Sequence, residues 1–422
     1  MAVSPRFHVQ STGARLRNGF PYFAHHDSVS ALWSLKWRRL CAAGIYPFTG
    51  ARAGDFDPVF AVLAKASGDD PAIVSQPDEY ARPFFPAAAR LVAEAEEALS
   101  GGGIEAARDL LLRAAAVYKI ARFPVNRSPL SQDAWEKGKA VHARADQLLD
   151  PPRLAVEIPF TQADTSAGDL DAAIPAYLRV PRGARPAGGW PVVLVICGLD
   201  SFRTDQIPRT QAHADRGQAT LTFEIPGVGD CPAAPGDPAA PDRLMSSILE
   251  WVTASAPAYQ LDHRTIIARG VSTGGYYAAR LAHTHGRRLL AAVAQGGGAH
   301  HMFDAEWIGA QNQMEYAFDL ADALAYKFGY RQQSRATAIA RYASEASKFS
   351  LLDSGVLEAP SCKLLLVNGM EDSIFPIEDS IAVATQGVGK DLVALGGQPH
   401  MGLPGSEAII HEWIDRAITE SH

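Results

Sequence analysis

The sequence predicts an α/β protein: a mostly parallel sheet flanked by helices, preceded by a separate helical domain. Three observations predict it. Past Pro151-Pro152, short β-rich runs alternate with helical ones, which indicates βαβ units. From about residue 58 to 150 the text is helical throughout. At 422 residues the chain exceeds the roughly 250–300 at which one hydrophobic core stops growing, so a large and a smaller domain are expected. The boundary falls at the proline pair, with a helical domain over 1–150 and a sheet domain over 151–422.

In the first domain the stretches DPVFAVLAKAS, RPFFPAAARLVAEAEEALS, GIEAARDLLLRAAAVYKIARF and SQDAWEKGKAVHARADQLLD follow one another. Ser, Asp or Pro stands near their starts and Gly between them, as helix ends require. Upstream, FPYFAHH and SALWSLKWRRL are aromatic-rich and are expected to pack on those helices or on a neighbouring subunit; a homodimer is left open. In the second domain the strand candidates are RLAVEIPF, AAIPAYLRVP, PVVLVICG, ATLTFEIPG, TIIARGVS, LLAAVAQGG, KLLLVNG and DLVALGG. Between Gly298 and Ser350 this rhythm lapses into polar helical text, so a helical excursion over about 300–350 is expected at the active edge of the sheet.

Composition narrows the partners. The chain is 47% hydrophobic and 20% charged with formal net charge -7, and its Lys and Arg residues form no long run. Such a balance argues against nucleic acid or an anionic membrane surface as partner. The opening MAVSPRFHVQ lacks an apolar core and no stretch approaches 18 apolar residues, so a cytoplasmic protein without leader or membrane span is expected. The four cysteines, Cys41, Cys197, Cys231 and Cys362, show no CxxC pair and read as small buried thiols.

The chemistry centres on Gly270-Val271-Ser272-Thr273-Gly274. The pentapeptide pattern GxSxG is common by chance, but here a strand, TIIARGVS, runs into it and a helix, YYAARLAHTH, runs out. That is a nucleophile elbow, in which flanking glycines permit the tight turn that exposes the Ser272 hydroxyl at a helix start, as in the α/β-hydrolase fold. The partners should follow in the order acid, then histidine. Asp372 lies just past the strand KLLLVNG and is assigned as the acid, with Glu371 and Asp379 as alternatives and a helix cap as its bland reading. His400, in GGQPHMG between the last strand and last helix, is assigned as the base. The oxyanion would rest on the amides of Thr273 and Leu199, with Gly198 as the alternative donor. Asp200 either orients that loop, touches substrate or is an ordinary turn carboxylate. Gly227-Val228-Gly229-Asp230 is too short for a dinucleotide fingerprint and reads as a turn. His300-His301 suggests pocket lining by His301 rather than a metal site, since adjacent histidines do not readily share one ion. No cofactor and no metal are expected.

Taken together, GVSTGGYYAAR, VICGLDS, VNGMEDSIFP, GGQPHMG and LLLRAAAVYKIARFPV resemble the fungal yellowish-green pigment hydrolases, which shorten polyketides, over nearly the full chain. More distantly the sequence is similar to bacterial 2,6-dihydropseudooxynicotine hydrolase. The resemblance implies a helical lid domain, the triad Ser272, Asp372 and His400, and cleavage of a carbon-carbon bond beside a ketone in a small aromatic or polyketide-like substrate. Tyr118 and Arg122, four apart on one helical face, are then assigned to substrate contact, with packing against a neighbouring element as the alternative. A carboxylesterase or lactonase, an acyltransferase and a noncatalytic scaffold remain competing readings. Substrate identity and oligomeric state are not legible.

Overall fold

The computed structural model describes residues 7–8, 15–331 and 334–421. Apart from Phe7 and His8, the polar opening MAVSPRFHVQ lies outside them. The described chain begins with a hairpin absent from the sequence reading, β1 (Arg15–Arg17) paired antiparallel with β2 (Phe20–Tyr22). Asn18 and Gly19 between them take φ of 54° and 84°, the left-handed pair that a two-residue hairpin turn demands. Phe20 and Phe7 pack on Trp307 and Met314.

Every apolar run past residue 151 becomes a strand of one eight-stranded sheet. These are β3 (Leu154–Ile158), β4 (Ile174–Arg179), β5 (Trp190–Ile196), β6 (Ala219–Phe223), β7 (Leu261–Val271), β8 (Ala291–Gln295), β9 (Lys363–Gly369) and β10 (Asp391–Leu395). Their order is β10-β9-β8-β7-β5-β6-β4-β3. From β10 to β6 neighbouring strands run parallel, while β4 is antiparallel to both β6 and β3. The central strands β5, β6 and β8 are buried at every residue, which is why they read as unbroken apolar text rather than alternation. On one face Val193, Val195, Ile267, Val293, Leu365 and Val367 meet Ile410, Trp413 and Ile414 of the final helix, Ser406–Thr419. Chain direction reverses its progress across the sheet between β5 and β7, and crevices for ligands form at the carboxyl ends of strands beside such a switch point.

Contacts divide the chain into two compact units, one of residues Phe23–Arg153 with Ala317–Asp319, the other containing the sheet, the hairpin and the final helix. The helical unit contains helices Ala53–Ser67, Phe84–Ser100, Ile104–Ala121 and Pro129–Asp146. Ser128 starts the last of these with a reciprocal cap to Ser131, and Pro129 occupies the first turn, where its missing N–H is harmless. SALWSLKWRRL forms helical turns that pack on these helices: Trp33 stacks on Phe60 at 4.6 Å, and Trp37 meets Phe48, Phe60, Phe123 and Phe318. In the sheet unit the excursion supplies helices Ala305–Ala310, Leu320–Lys327 and Arg335–Glu345. Among the described residues no helix is long and apolar enough to cross a membrane. All four thiols are free, Cys41 and Cys197 being buried.

Candidate active site

β7 ends at Val271, and Ser272 turns the chain into the helix Thr273–Thr284 with φ 54° and ψ -125°. A non-glycine residue held there stores on the order of 1–3 kcal/mol of backbone strain, which the surroundings must enforce. They do so by close approach. A side-chain carbon on Gly270 would lie 2.0 Å from the Gly274 carbonyl oxygen, and one on Gly274 would lie 2.3 Å from that of Ile196. Both glycines of the motif are therefore required by packing, not only by the turn. The Ser272 amide donates to the Gln295 carbonyl at 2.8 Å, and its own carbonyl accepts from Gly275 at 2.7 Å.

The Ser272 hydroxyl lies 2.7 Å from His400 Nε2, and His400 Nδ1 lies 2.8 Å from Asp372 Oδ2. The three side chains form one hydrogen-bonded line, delivered from the ends of β7, β9 and β10. A carboxylate on Nδ1 fixes the tautomer that leaves Nε2 to accept the serine proton. Asp372 is immobilised from the other side, because its Oδ1 accepts the amides of Ile374 and Phe375 at 2.7 and 3.0 Å. Burial pulls the His400 imidazolium down, but the Asp372 charge and hydrogen bond, with Glu315 and Asp200 beyond, outweigh it and hold the group above its ordinary range. Phe375 covers the ring edge-to-face at 5.6 Å.

Asn368, the penultimate residue of β9, was not singled out in the sequence. It donates to Asp372 Oδ2 at 2.7 Å, and its Oδ1 accepts the amides of Gly369 and Met401 at 2.9 and 3.0 Å. One buried amide thus ties Asp372 to the loop of His400, where Met401 stands at φ 68°. A strand-terminal Asn four residues before the acid was the available signal.

The loop after β5 brings Gly198 against the elbow: a side-chain carbon there would sit 3.0 Å from the Val271 carbonyl oxygen. The amides of Leu199 and Thr273 donate to no group among the described residues, which leaves both N–H groups available to an acceptor. Asp200 is buried and accepts from the Tyr316 hydroxyl at 2.7 Å. Three residues on, buried Arg203 anchors the loop to Glu224 at 2.7 Å and Asp230 at 2.9 Å. The Glu224 side chain fills the space beside Gly229, so Gly227-Val228-Gly229 is a packed turn.

The remaining predicted residues each have partners within their own unit. Asp379 accepts the amides of His300, His301 and Met302 at 2.8, 2.5 and 3.0 Å, so it anchors that turn. His301 Nδ1 faces Asp304 at 3.0 Å, and its ring meets Phe7. Within the helical unit the Tyr118 ring packs edge-to-face on Phe85, and the Arg122 guanidinium lies over Trp135 at 5.3 Å.

Chemically, the line can move a proton from a hydroxyl to an imidazole that a carboxylate stabilises. Residues 88–418 match the family described as "Esterase FrsA-like". The chain is 29% identical over 318 residues to Hydrolase phmG of Phaeosphaeria nodorum, covering 68% of this chain and 70% of that protein. It is 32% identical over 219 residues to Hydrolase ORFZ of Pyricularia oryzae, covering 49% of this chain and 50% of that one. It thus spans from half to about two thirds of these fungal relatives. Among solved structures, 2,6-dihydroxy-pseudo-oxynicotine hydrolase shares the fold with a TM-score of 0.63 at 22% identity, over 79% of this chain and 87% of that one. A parallel sheet with a serine elbow after its longest strand, matched over residues 88–418, identifies an α/β-hydrolase that belongs to the FrsA-like esterase family.

Proposed function

We propose that this hydrolase uses Ser272 as nucleophile, His400 as general base and Asp372 as its orienting acid to cleave a carbon-carbon bond beside a ketone. The observation that carries the reading is the unbroken line Ser272–His400–Asp372, with both links under 3 Å. His400 takes the serine proton as Oγ bonds to the ketone carbon, and the oxyanion forms hydrogen bonds to the amides of Thr273 and Leu199. Collapse restores the carbonyl and breaks the adjacent carbon-carbon bond. The departing carbon needs to leave as an enolate, because an unstabilised carbanion is too poor a leaving group, and the His400 imidazolium protonates it. Water, deprotonated by His400, then releases the acyl group from Ser272 as a carboxylic acid.

The ketone rests on the resemblance to polyketide-shortening pigment hydrolases, which also suggests an aromatic β-diketone as the substrate class. A second reading, ester or lactone hydrolysis by the same residues, is favoured by the description of the matched family as esterase. The two separate on one comparison. With an enolisable aryl β-diketone and p-nitrophenyl acetate, the first reading expects the diketone to have the higher kcat/KM, by tenfold or more, and to yield one ketone and one carboxylate. Turnover of the ester alone would leave the second. For both, a sulfonyl fluoride adduct mapped by mass spectrometry is expected on Ser272, and Ser272→Ala is expected to lose turnover with its melting temperature unchanged.

A further inference from the structure

A buried polar cluster beneath the elbow is absent from the steps above. Arg269, three residues before Ser272, is fully buried. Its guanidinium donates to Glu407 Oε2 at 2.6 Å, to His213 Nε2 at 2.9 Å and to Gln295 Oε1 at 3.4 Å. Gln295, also fully buried, closes the set: its Nε2 donates to the Ser406 hydroxyl at 3.0 Å and to Glu407 Oε1 at 3.2 Å. Arg209 adds a longer contact to Glu407 at 3.5 Å.

The members come from the two segments whose separation sets the Ser272–His400 distance. Arg269 is on the nucleophile strand β7. Ser406 and Glu407 open the final helix, directly after the loop that bears His400. Gln295 belongs to both, since its backbone carbonyl accepts the Ser272 amide while its side chain reaches the helix start. The acid side of the histidine loop has its own tie through Met401 and Asn368. The loop is therefore held at two ends, one by the acid's strand and one by the nucleophile's.

Arg269 is buried while Glu407 keeps about a third of its side chain in solvent, and such a pair is a poor device for stability, because desolvating the guanidinium offsets much of the attraction and water weakens the rest. Directional positioning is a better account of it. Charge-assisted hydrogen bonds at 2.6 Å define distance and angle more tightly than apolar packing does. We propose that Arg269, Glu407 and Gln295 are positioning residues that hold the His400 loop in register with the Ser272 elbow. This rests on Ser272 and His400 being the nucleophile and base.

The test is Glu407→Gln, which keeps the shape and removes the charge, with Arg269→Lys as a second variant that keeps a cation. Each is assayed well below its own melting temperature, with the folded fraction counted by active-site titration. The expected result for Glu407→Gln is a fall in kcat of about tenfold or more with KM within twofold. The rate of sulfonyl fluoride inactivation should fall by the same factor, since that reaction uses only the Ser272–His400 register. Arg269→Lys should fall between this variant and the wild type. Unchanged kcat and inactivation rate in folded Glu407→Gln, with only the melting temperature lowered, would overturn the positioning role and leave the nucleophile assignment standing. A wild-type adduct on a residue other than Ser272 would instead overturn both.

Discussion

The active edge of the sheet and the core of the helical unit solve the same problem, fixing side chains, by opposite means. At the active edge, single hydrogen bonds set positions: Asp372 accepts four, from Asn368, His400, Ile374 and Phe375. In the helical unit, rings pack on rings. Trp37, Phe48, Phe56, Phe60, Phe84 and Phe318 form a contiguous aromatic cluster with few polar atoms inside it. Hydrogen bonds have steep distance and angle dependence, whereas apolar contact scales with area and tolerates shape change if volume is kept. The first region should therefore fail when one atom changes character, and the second when volume is lost.

The largest effect tests the first half of that contrast. Asp372→Asn keeps size but offers Nδ1 the wrong partner, so kcat should fall on the order of 10⁴-fold with melting little changed. The acid limb of any residual activity should also move to lower pH, because the Asp372 charge is what lifts His400 above its ordinary range. Asp379→Asn should show the reverse pattern: activity within tenfold, melting lowered, because the three amides of the 300–302 turn lose their anion. Exchange of the two outcomes would move the acid to Asp379.

Next in size is Trp37→Ala in the helical unit, expected to cost about 3–5 kcal/mol of stability measured by denaturant unfolding. Trp37→Phe should cost much less. Equal losses would mean that the indole serves some purpose other than filling volume.

These regions also differed in how much the sequence disclosed. Strand identity was legible because buried parallel strands are written as unbroken apolar runs, and Ser272, Asp372 and His400 were legible because each follows such a run. The hydrogen-bond partners were not. Asn368 carries only the weak signal of a strand-terminal Asn four residues before Asp372, whereas Gln295, Glu407 and Tyr316 have partners far away in sequence, and no local pattern marks them. The hairpin at Asn18-Gly19 carries a turn signal but little strand signal, because its flanking strands are only three residues long. The aromatic segment around Trp37 announced a packing role but not its partners, which include Phe318 from almost three hundred residues away.

A smaller effect follows from the polar cluster under the elbow. Burial, then the charge of Arg269, pull the His411 imidazolium down to about 4, and the same two causes hold His213 well below its ordinary range. Their folded forms refuse protons that the unfolded chain accepts near 6.5. The contribution of these two histidines should therefore be complete above about pH 7 and decline as pH falls from 6.5 toward 4, by about 1.4 kcal/mol for each tenfold difference in proton affinity. Lys327, which burial pulls down to about 7, makes its corresponding loss at higher pH and adds nothing to this window. Urea unfolding at a series of pH values reads the slope. A flat profile from 6.5 to 4 would mean that the cluster opens to solvent more readily than its burial implies.

The smallest effect deletes the same atom from each region. Tyr80 packs in the helical unit against Phe84 and Phe318, and its buried hydroxyl has no hydrogen-bond partner among the described residues. An unsatisfied buried hydroxyl costs about 1–3 kcal/mol, so Tyr80→Phe should leave stability unchanged or raise it by about 1 kcal/mol, because every ring contact is kept. Tyr316→Phe removes a hydroxyl that donates to buried Asp200, next to Leu199, at 2.7 Å. The carboxylate then has one donor fewer, and the loop that carries the proposed oxyanion amide is free to shift. A loss of about 1–1.5 kcal/mol there corresponds to roughly a tenfold fall in kcat/KM, with KM nearly constant because the amide acts on the transition state. The two substitutions are chemically identical, so their opposite signs isolate the environment. If Tyr80→Phe destabilised the protein as much as Tyr316→Phe slowed it, hydrogen bonding would matter alike in both regions and the contrast between them would not hold.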